Sequence, residues 1–263
     1  HKTIEEYIRI KNSFFEDDSK KLINKDDKIV KYNSKNGYAY SLDDPSTYKV
    51  TAYSFKNGTH VMFSHFGTMH SFSSSMMGIF NVYNLMAAVA AVHITTNKPL
   101  DKICEAVEGF AGVSGRMETI SSNPLVIVDF AHTPDGMKEV LQSFNEKDII
   151  CVFGAGGDRD KAKRPLMGSV AASYSKHIIV TCDNPRFEDP DMIIEDILKG
   201  IKNHTSVQIE LNRKEAIKKA IEMADSNSVV LILGKGDEST QTIYDKKFPF
   251  SDKEEVLKVL NKE

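Results

Sequence analysis

Residues 125–181 read LVIVDFAHTPDGMKEVLQSFNEKDIICVFGAGGDRDKAKRPLMGSVAASYSKHIIVT, and three short apolar runs inside this stretch decide the fold. The runs at 125–130, 149–153 and 177–181 are separated by segments of helical spacing at 134–145 and 164–174. Downstream the alternation continues: apolar runs at 207–211 and 229–233, helical segments at 190–202 and 213–224. Strands alternating with helices predict an α/β fold with a mostly parallel sheet and right-handed crossovers, Rossmann-like in organisation. Upstream the pattern changes near Gly112 and Gly115, which places a domain boundary there and divides the chain into residues 1–112 and 113–263.

The first part reads differently. Residues 80–95 and 99–110 read as two consecutive helices, the first rich in alanine. Residues 20–75 are short alternating runs broken by Asp26-Asp27, Asn36-Gly37 and Asn57-Gly58, which predicts a small antiparallel β region. His60, His65 and His70 recur there every five residues, a period matching neither one strand face nor one helix face, so exposed hairpin histidines are expected rather than a metal site. From Thr3 to Phe15 the apolar positions Ile4, Tyr7, Ile8, Phe14 and Phe15 follow helical spacing, opened by a Thr3/Glu6 capping box. Lys11 falls on that apolar face, where a lysine has to snorkel or find a partner.

Composition narrows the function classes. The 263 residues exceed one small module, and 41 % apolar with 27 % charged residues supports a sizeable core and excludes disorder. A net charge of −3 does not advertise a polyanion partner, so nucleic acid is not expected. Cys104, Cys151 and Cys182 are far apart without CxxC spacing, and buried reduced thiols in a cytoplasmic protein are expected. No apolar run approaches the roughly 18 residues of a membrane span, so no membrane association is expected. The chain opens at His1 without an initiator Met, which suggests a piece of a longer protein.

In open α/β sheets ligands gather at the carboxyl ends of the strands, and four polar clusters fall there. These are Asp129-Phe130-Ala131-His132, residues 154–159 (GAGGDR), residues 183–186 (DNPR) and residues 234–238 (GKGDE). The glycine cluster lacks the GxGxxG spacing, because its sixth position is Arg159, and no GxxxxGK[ST] occurs in the chain. Arg159, Lys161, Lys163 and Arg164 instead crowd a strand-to-helix turn, a place for an anionic ligand. Arg186 offers a planar fork for a carboxylate, and Asp183 and Glu238 suit an amine. Carboxylate and amine together point to an amino acid.

With these residues in view the chain resembles the Mur ligases, specifically the branch that adds the third amino acid to UDP-N-acetylmuramoyl-L-alanyl-D-glutamate in peptidoglycan synthesis. The matching stretches are GIFNVYNLMAA (78–88), SGRME (114–118), VDFAHTPD (128–135), FGAGGDRDKAKRPLMG (153–168), DNPRFEDP (183–190) and GKGDE (234–238), in the family's order and spacing. The resemblance implies three domains: a UDP-binding domain, a central ATPase domain with a P-loop, and a Rossmann-like C-terminal domain. Of these, the present chain holds the later part of the second and the third. It implies ATP and Mg²⁺ as cofactors, with Asn81, Asn84, Arg116, Asp129 and His132 on the nucleotide. It implies Arg159, Asp183, Asn184, Arg186, Gly234 and Glu238 on the incoming amino acid, meso-diaminopimelate or lanthionine. Lys11, matching the lysine of the family's YxxxK helix after Tyr7, would be a carbamylated catalytic lysine whose oxygens serve Mg²⁺. His1 aligns with a histidine following the family's central metal-binding segment.

The implied chemistry is an acyl phosphate formed by ATP on the dipeptide's carboxylate and attacked by the amine, by a protein expected to act as a monomer. The present chain alone is expected to be inactive in that reaction. Two departures touch the amino-acid pocket: Asp237 stands where a His is common, and Phe187 where a small or polar residue is common. The alternatives are a non-catalytic amino-acid or nucleotide-binding module, and another ligase of the superfamily such as a folate polyglutamylating enzyme, against which DNPR followed by GKGDE argues.

Overall fold

The computed structural model describes residues 3–55, 58–202 and 206–261. The chain divides into two compact units, residues up to 111 and residues from 112 onward.

The first unit opens with α1 (Ile4–Ser13), started by Thr3, whose hydroxyl accepts the Glu6 N–H at 3.2 Å. Its only buried residue is Asn12, tied to the Ile29 carbonyl at 3.1 Å, while Ile4 and Phe14 stay exposed. Then follow β1 (Lys21–Asn24), β2 (Gly37–Ser41), β3 (Tyr48–Ser54), β4 (Thr59–His65), β5 (Thr68–Ser74), α2 (Ile79–Thr96) and α3 (Leu100–Glu108). The strands form one sheet in sequential order. Inward-facing Val50, Val61, Phe63 and Phe72 pack on Val82, Met86 and Val89 of α2 and on Leu100 and Ile103 of α3. Burial of each such side chain contributes about 1.5–3 kcal/mol.

Three expectations need correction here. The sheet is mixed, not antiparallel: β1, β2 and β3 run parallel, and only β3, β4 and β5 form an antiparallel meander. The segment between β1 and β2 is long enough to return the chain to the same end, as parallel pairing requires. β2 and β3 manage a shorter connection because only Tyr40↔Tyr48 and Ser41↔Lys49 pair. Of the three histidines, His60 is exposed but His65 and His70 are half-buried. His65 shares its strand face with Val61 and Phe63, and His70 shares one with Phe72, since side chains two apart point the same way. The His65 ring stacks on Tyr48 at 4.5 Å, and His70 Nδ1 lies 2.7 Å from the Asp101 carboxylate. Finally, α2 does have the length and composition of a membrane span, with mean hydropathy 1.4 over 18 residues. Asn81, Asn84 and His93 interrupt its apolar sequence, and its Val82, Leu85, Met86, Val89 and Ala90 face is buried in this unit's core.

The second unit runs β6 (Glu118–Ser122), β7 (Leu125–Asp129), α4 (Pro134–Gln142), β8 (Asp148–Phe153), α5 (Lys163–Tyr174), β9 (His177–Thr181), α6 (Pro190–Leu198), β10 (Val207–Glu210), α7 (Arg213–Met223), β11 (Ser228–Leu233), β12 (Thr240–Ile243), β13 (Lys246–Pro249) and α8 (Asp252–Asn261). Six strands form a sheet in the order β10-β9-β8-β11-β7-β6, parallel except for the edge strand β6. The central strands are buried on both faces, which is why they read as continuous apolar runs. One face packs Val126, Ile150, Val152, Val230 and Ile232 against Ala216, Ile217 and Ala220 of α7 and Val256 of α8. All three cysteines are free; Cys104 and Cys151 are buried and Cys182 is partly so.

Under the carboxyl ends of the strands lies a fully buried ion pair. Arg213 at the start of α7 donates from Nε and Nη2 to the two oxygens of Asp252 at the start of α8, both at 2.7 Å, and to the Leu233 carbonyl at 3.1 Å. Removing one partner strands a buried charge, so Asp252→Ala should destabilise the chain by about 3–5 kcal/mol, measurable by urea unfolding.

Candidate functional site

The segments that leave β7, β8, β9 and β11 at their carboxyl ends enclose a cleft of about 260 Å³. Its floor is set by backbone contact between two of these loops. After β8 the chain turns through residues 154–157, and a Cβ on Gly157 would lie 1.8 Å from the Pro185 carbonyl oxygen, so only glycine lets the loops touch. The Gly157 N–H donates to the Asn184 carbonyl at 2.8 Å, and Arg186 Nη1 donates to the Gly157 carbonyl at 2.6 Å. Arg186 has φ +50°, a conformation a non-glycine residue holds only when its surroundings impose it. The imposing element is the hairpin β12–β13: the Arg186 N–H donates to Thr242 at 3.2 Å and its carbonyl accepts from the Tyr244 N–H at 2.8 Å.

Two carboxylates line the cleft together with the guanidinium. Asp183 is buried, and its carboxylate oxygen would sit 2.7 Å from a Cβ on Gly234, whose φ is +116°. Burial pushes the Asp183 carboxyl up, with the cations of Arg213 and Lys235 acting against it. For Glu238 burial also opposes ionisation, but hydrogen bonds from Lys235 and Asn184 and the charges of Lys235 and Arg186 outweigh it and hold the carboxyl below its ordinary range. Asn184 also lines the cleft: its Nδ2 donates one hydrogen to Glu238 at 2.9 Å, and its Oδ1 accepts from Lys235 Nζ at 3.1 Å and the Thr242 N–H at 2.8 Å. These bonds tie together the loops that carry the two carboxylates.

The basic cluster divides in two. Arg159, Lys163 and Arg164 line the cleft, but Arg164 is already paired. Arg164 is buried and donates to Glu188 at 2.8 and 3.0 Å, to Asp196 at 3.1 Å and to the Gly156 carbonyl at 3.3 Å, and Lys161 also pairs with Glu188 at 3.0 Å. The expectation that all four cations serve an anionic ligand is corrected: two are neutralised by carboxylates of the segment after β9, which their spacing along the chain did not reveal. Hydrogen bonding from Arg164, above all, pulls the Glu188 carboxyl down to about 2 against the ordinary 4.5. A depressed carboxyl contributes stability above its unfolded value and loses it as pH falls through the folded one. Glu188→Gln should therefore lower stability at neutral pH, with the gap to the parent closing as pH falls from 4.5 toward about 2 in chemical unfolding series.

Around β7, Asp129 is buried and accepts the Met117 N–H at 2.8 Å and the Ala131 N–H at 2.7 Å; burial raises its carboxyl, against those two bonds and the charge of Arg116. Arg116 lies over the Phe130 ring, 4.5 Å from its centroid. His132 Nδ1 is 2.9 Å from the Phe130 carbonyl, which can only accept, so Nδ1 carries the proton. In the first unit, Asn81 is buried, donates to the Met77 carbonyl at 2.7 Å and accepts from the exposed Asn84 at 3.1 Å. Lys11 is exposed, with Nζ 5.7 Å from the centroid of the Tyr7 ring. Among the described residues no group of three or more His, Cys, Asp or Glu is placed to hold a metal ion, so these residues do not by themselves make a Mg²⁺ site. His1 lies outside the described residues.

The sequence reading passed over Lys235. It is fully buried, with Nζ 2.8 Å from Glu238, 3.1 Å from Asn184 and 4.0 Å from Asp183. The available signal was its position: a lysine between two glycines directly after a strand buried along its whole length has no solvent to reach.

Residues 1–92 match the Mur ligase middle domain and residues 115–236 the Mur ligase glutamate ligase domain. The chain is 49 % identical over 260 residues to the UDP-N-acetylmuramoyl-L-alanyl-D-glutamate–2,6-diaminopimelate ligase of Wolinella succinogenes, covering 99 % of this chain and 60 % of that protein. It is 46 % identical to the ligase of the same name from Helicobacter hepaticus, covering 97 % and 57 %. A solved structure of a ligase of that name superposes with TM-score 0.66 at 33 % identity, covering all of this chain and 57 % of the other. The chain thus spans somewhat more than half the length of these relatives.

Proposed function

This chain belongs to the Mur ligase family, and on that premise we propose that the protein containing it joins a diamino dicarboxylic acid, meso-diaminopimelate or its thioether analogue lanthionine, to UDP-N-acetylmuramoyl-L-alanyl-D-glutamate at the expense of ATP. The two units are then the later part of the family's ATPase domain and its C-terminal domain, working in the cytoplasm. The observation that carries the reading is the charge content of the cleft: the Arg186 fork, fixed on the Gly157 carbonyl, lines one cavity of about 260 Å³ together with Asp183 and Glu238. The non-reacting end of such a substrate carries a carboxylate beside an ammonium, and this set of charges is its complement. The carboxylate pairs with the guanidinium and the ammonium with the two carboxylates, which leaves the other amine free to react.

The chemistry assigned to the whole enzyme is stepwise. A carboxylate oxygen of the dipeptide attacks the γ-phosphorus of ATP, giving an acyl phosphate and ADP. The free amine then attacks the acyl carbon, loses a proton, and the tetrahedral adduct expels phosphate as the amide forms. What this chain's cleft contributes is position: it fixes the distal end so that the reacting amine is presented in one orientation. Arg159 and Lys163, which line the same cleft, add positive charge for the substrate's carboxylates. By family resemblance Asn81, Asn84, Arg116, Asp129 and His132 serve the nucleotide, and Lys11 a carbamate that would supply oxygen ligands to Mg²⁺.

ATP-dependent amide formation by the full-length protein tests the function; ligand binding without amide formation would make this a binding module instead. For Lys11, substitution by Ala in the full-length enzyme should abolish most activity, with partial rescue by added short carboxylic acids. An unaffected Lys11→Ala enzyme refutes its role.

A further inference from the structure

The least expected group in the cleft is the buried ammonium of Lys235. Its Nζ is completely shielded from solvent and has three neighbours: Glu238 Oε2 at 2.8 Å, Asn184 Oδ1 at 3.1 Å and Asp183 Oδ1 at 4.0 Å. A lysine ammonium has three donors and no acceptor; this one makes hydrogen bonds to Glu238 and Asn184, from two different loops, and a longer ion pair with Asp183. Glu238, Asn184 and Asp183 all line the same cleft as Arg186. Burying an ammonium is costly, and a loop tether alone would be served by a neutral donor.

We propose that Lys235 is a positioning residue for the amino-acid substrate: its buried ammonium keeps Asp183 and Glu238 ionised together and fixes their orientation toward the substrate's ammonium group. The inference rests on the amino-acid reading of the cleft given above. Two carboxylates close together in a buried site do not both ionise without a compensating cation. Every charged neighbour bears on this balance. Asp183 is faced by Lys235 and Glu238 from the loop after β11, by Arg213 from the start of α7 and by Asp252 from the start of α8. Arg213 is already committed to Asp252 through two 2.7 Å bonds, so its charge is largely spent. Glu238 is faced by Lys235 and Arg186, and Arg186 is the group assigned to the substrate's carboxylate. Cys182, partly buried beside Asp183, adds no cation. Glu238 is held below its ordinary range, whereas burial raises the Asp183 carboxyl despite the nearby cations, and Lys235 is the cation left to offset that burial before substrate arrives. Glu238 Oε2 is taken by Lys235 and Asn184, which turns the carboxylate through one oxygen and leaves the other to the ligand.

The test compares the full-length enzyme with Lys235→Met, which keeps the unbranched shape and removes the charge. With Lys235 gone, the Asp183–Glu238 pair retains a proton near neutrality and binds a cation poorly. The KM for diaminopimelate should rise about ten- to a hundredfold at neutral pH, while those for ATP and the UDP-dipeptide stay within about twofold. The defect should shrink as pH is raised toward about 9, because the pair then gives up its proton. An unchanged KM for diaminopimelate, or equal, pH-independent losses for all three substrates, would overturn the inference and leave Lys235 a loop tether. Should Lys235→Met fail to fold, the unmutated enzyme labelled at lysine ¹³Cε supplies the readout. The Lys235 resonance should shift on titration with diaminopimelate and stay in place with ATP; no shift overturns the proposal. If the unmutated enzyme does not saturate with diaminopimelate, the amino-acid reading itself falls and takes this inference with it. If it saturates and Lys235→Met matches it, only the role of Lys235 falls.

Discussion

Replacing Arg186 by Ala in the full-length enzyme should lower kcat/KM for diaminopimelate by about two to four orders of magnitude, the equivalent of two charge-assisted hydrogen bonds at roughly 1.5–3 kcal/mol each. The loss should appear chiefly in the KM for the amino acid, since in the proposed binding mode the guanidinium holds the substrate's far end and not the reacting atoms. Arg186→Lys keeps the charge but not the fork, and should recover only part of the loss. It also controls for the φ of +50° at this position, because both variants carry a Cβ like the parent. Melting curves check the interpretation: the Gly157 carbonyl loses its 2.6 Å donor in both variants, so a modest fall in stability is expected in each. Unchanged diaminopimelate use by Arg186→Ala would show that the carboxylate is held elsewhere.

The second large effect is steric. In Gly157→Ala the new methyl would sit 1.8 Å from the Pro185 carbonyl oxygen, and both atoms belong to or are fixed on backbone, so the loops after β8 and β9 must separate. Overpacking of this kind costs about 1–3 kcal/mol or more, which for a protein of this size lowers Tm by roughly 5–10 °C. The separation also breaks the Gly157–Asn184 bond at 2.8 Å and carries Arg186 out of register, so diaminopimelate use should fall with stability. Gly156→Ala makes the informative contrast. Its methyl would meet Arg186 Nη1 at 2.9 Å, the far end of a flexible side chain, so stability should be nearly unchanged while the guanidinium is displaced and the KM for diaminopimelate rises. An unchanged KM for diaminopimelate in Gly156→Ala, measured by steady-state kinetics beside calorimetry of both variants, would argue against Arg186 as the gripping group.

How much of this was legible in the sequence depended on what kind of signal each element leaves. The parallel strands of the second unit are buried on both faces, so β8 and β11 announced themselves as apolar runs within a residue or so of their observed limits. The edge strand β6 reads ETISS and the hairpin strands β12 and β13 read TQTI and KKFP; they are half-exposed or exposed, and no apolar periodicity marks them. Yet that hairpin holds Arg186 in its strained conformation, so a decisive part of the site was invisible. The parallel pairing of β1, β2 and β3 was likewise hidden, because alternation along a strand does not encode the direction of its neighbour. In the cleft, residue types at the strand ends indicated Arg186, Asp183 and Glu238 correctly as neighbours of one cavity. They did not show which polar groups already have protein partners: Asn184 bonds Lys235, Glu238 and Thr242, and Arg164 bonds Glu188 and Asp196. Those pairings depend on contacts between segments tens of residues apart.

The central claim is that the cleft selects an amino acid bearing a second carboxylate, and competition among substrates tests it most directly. The full-length enzyme, given ATP, the UDP-dipeptide and equal concentrations of meso-diaminopimelate, lanthionine and L-lysine, yields three products separable by mass. A fork left unpaired beside a like charge should reject lysine by about a hundredfold or more relative to diaminopimelate, while lanthionine, with the same two ends, should be accepted. A product dominated by lysine would contradict the account.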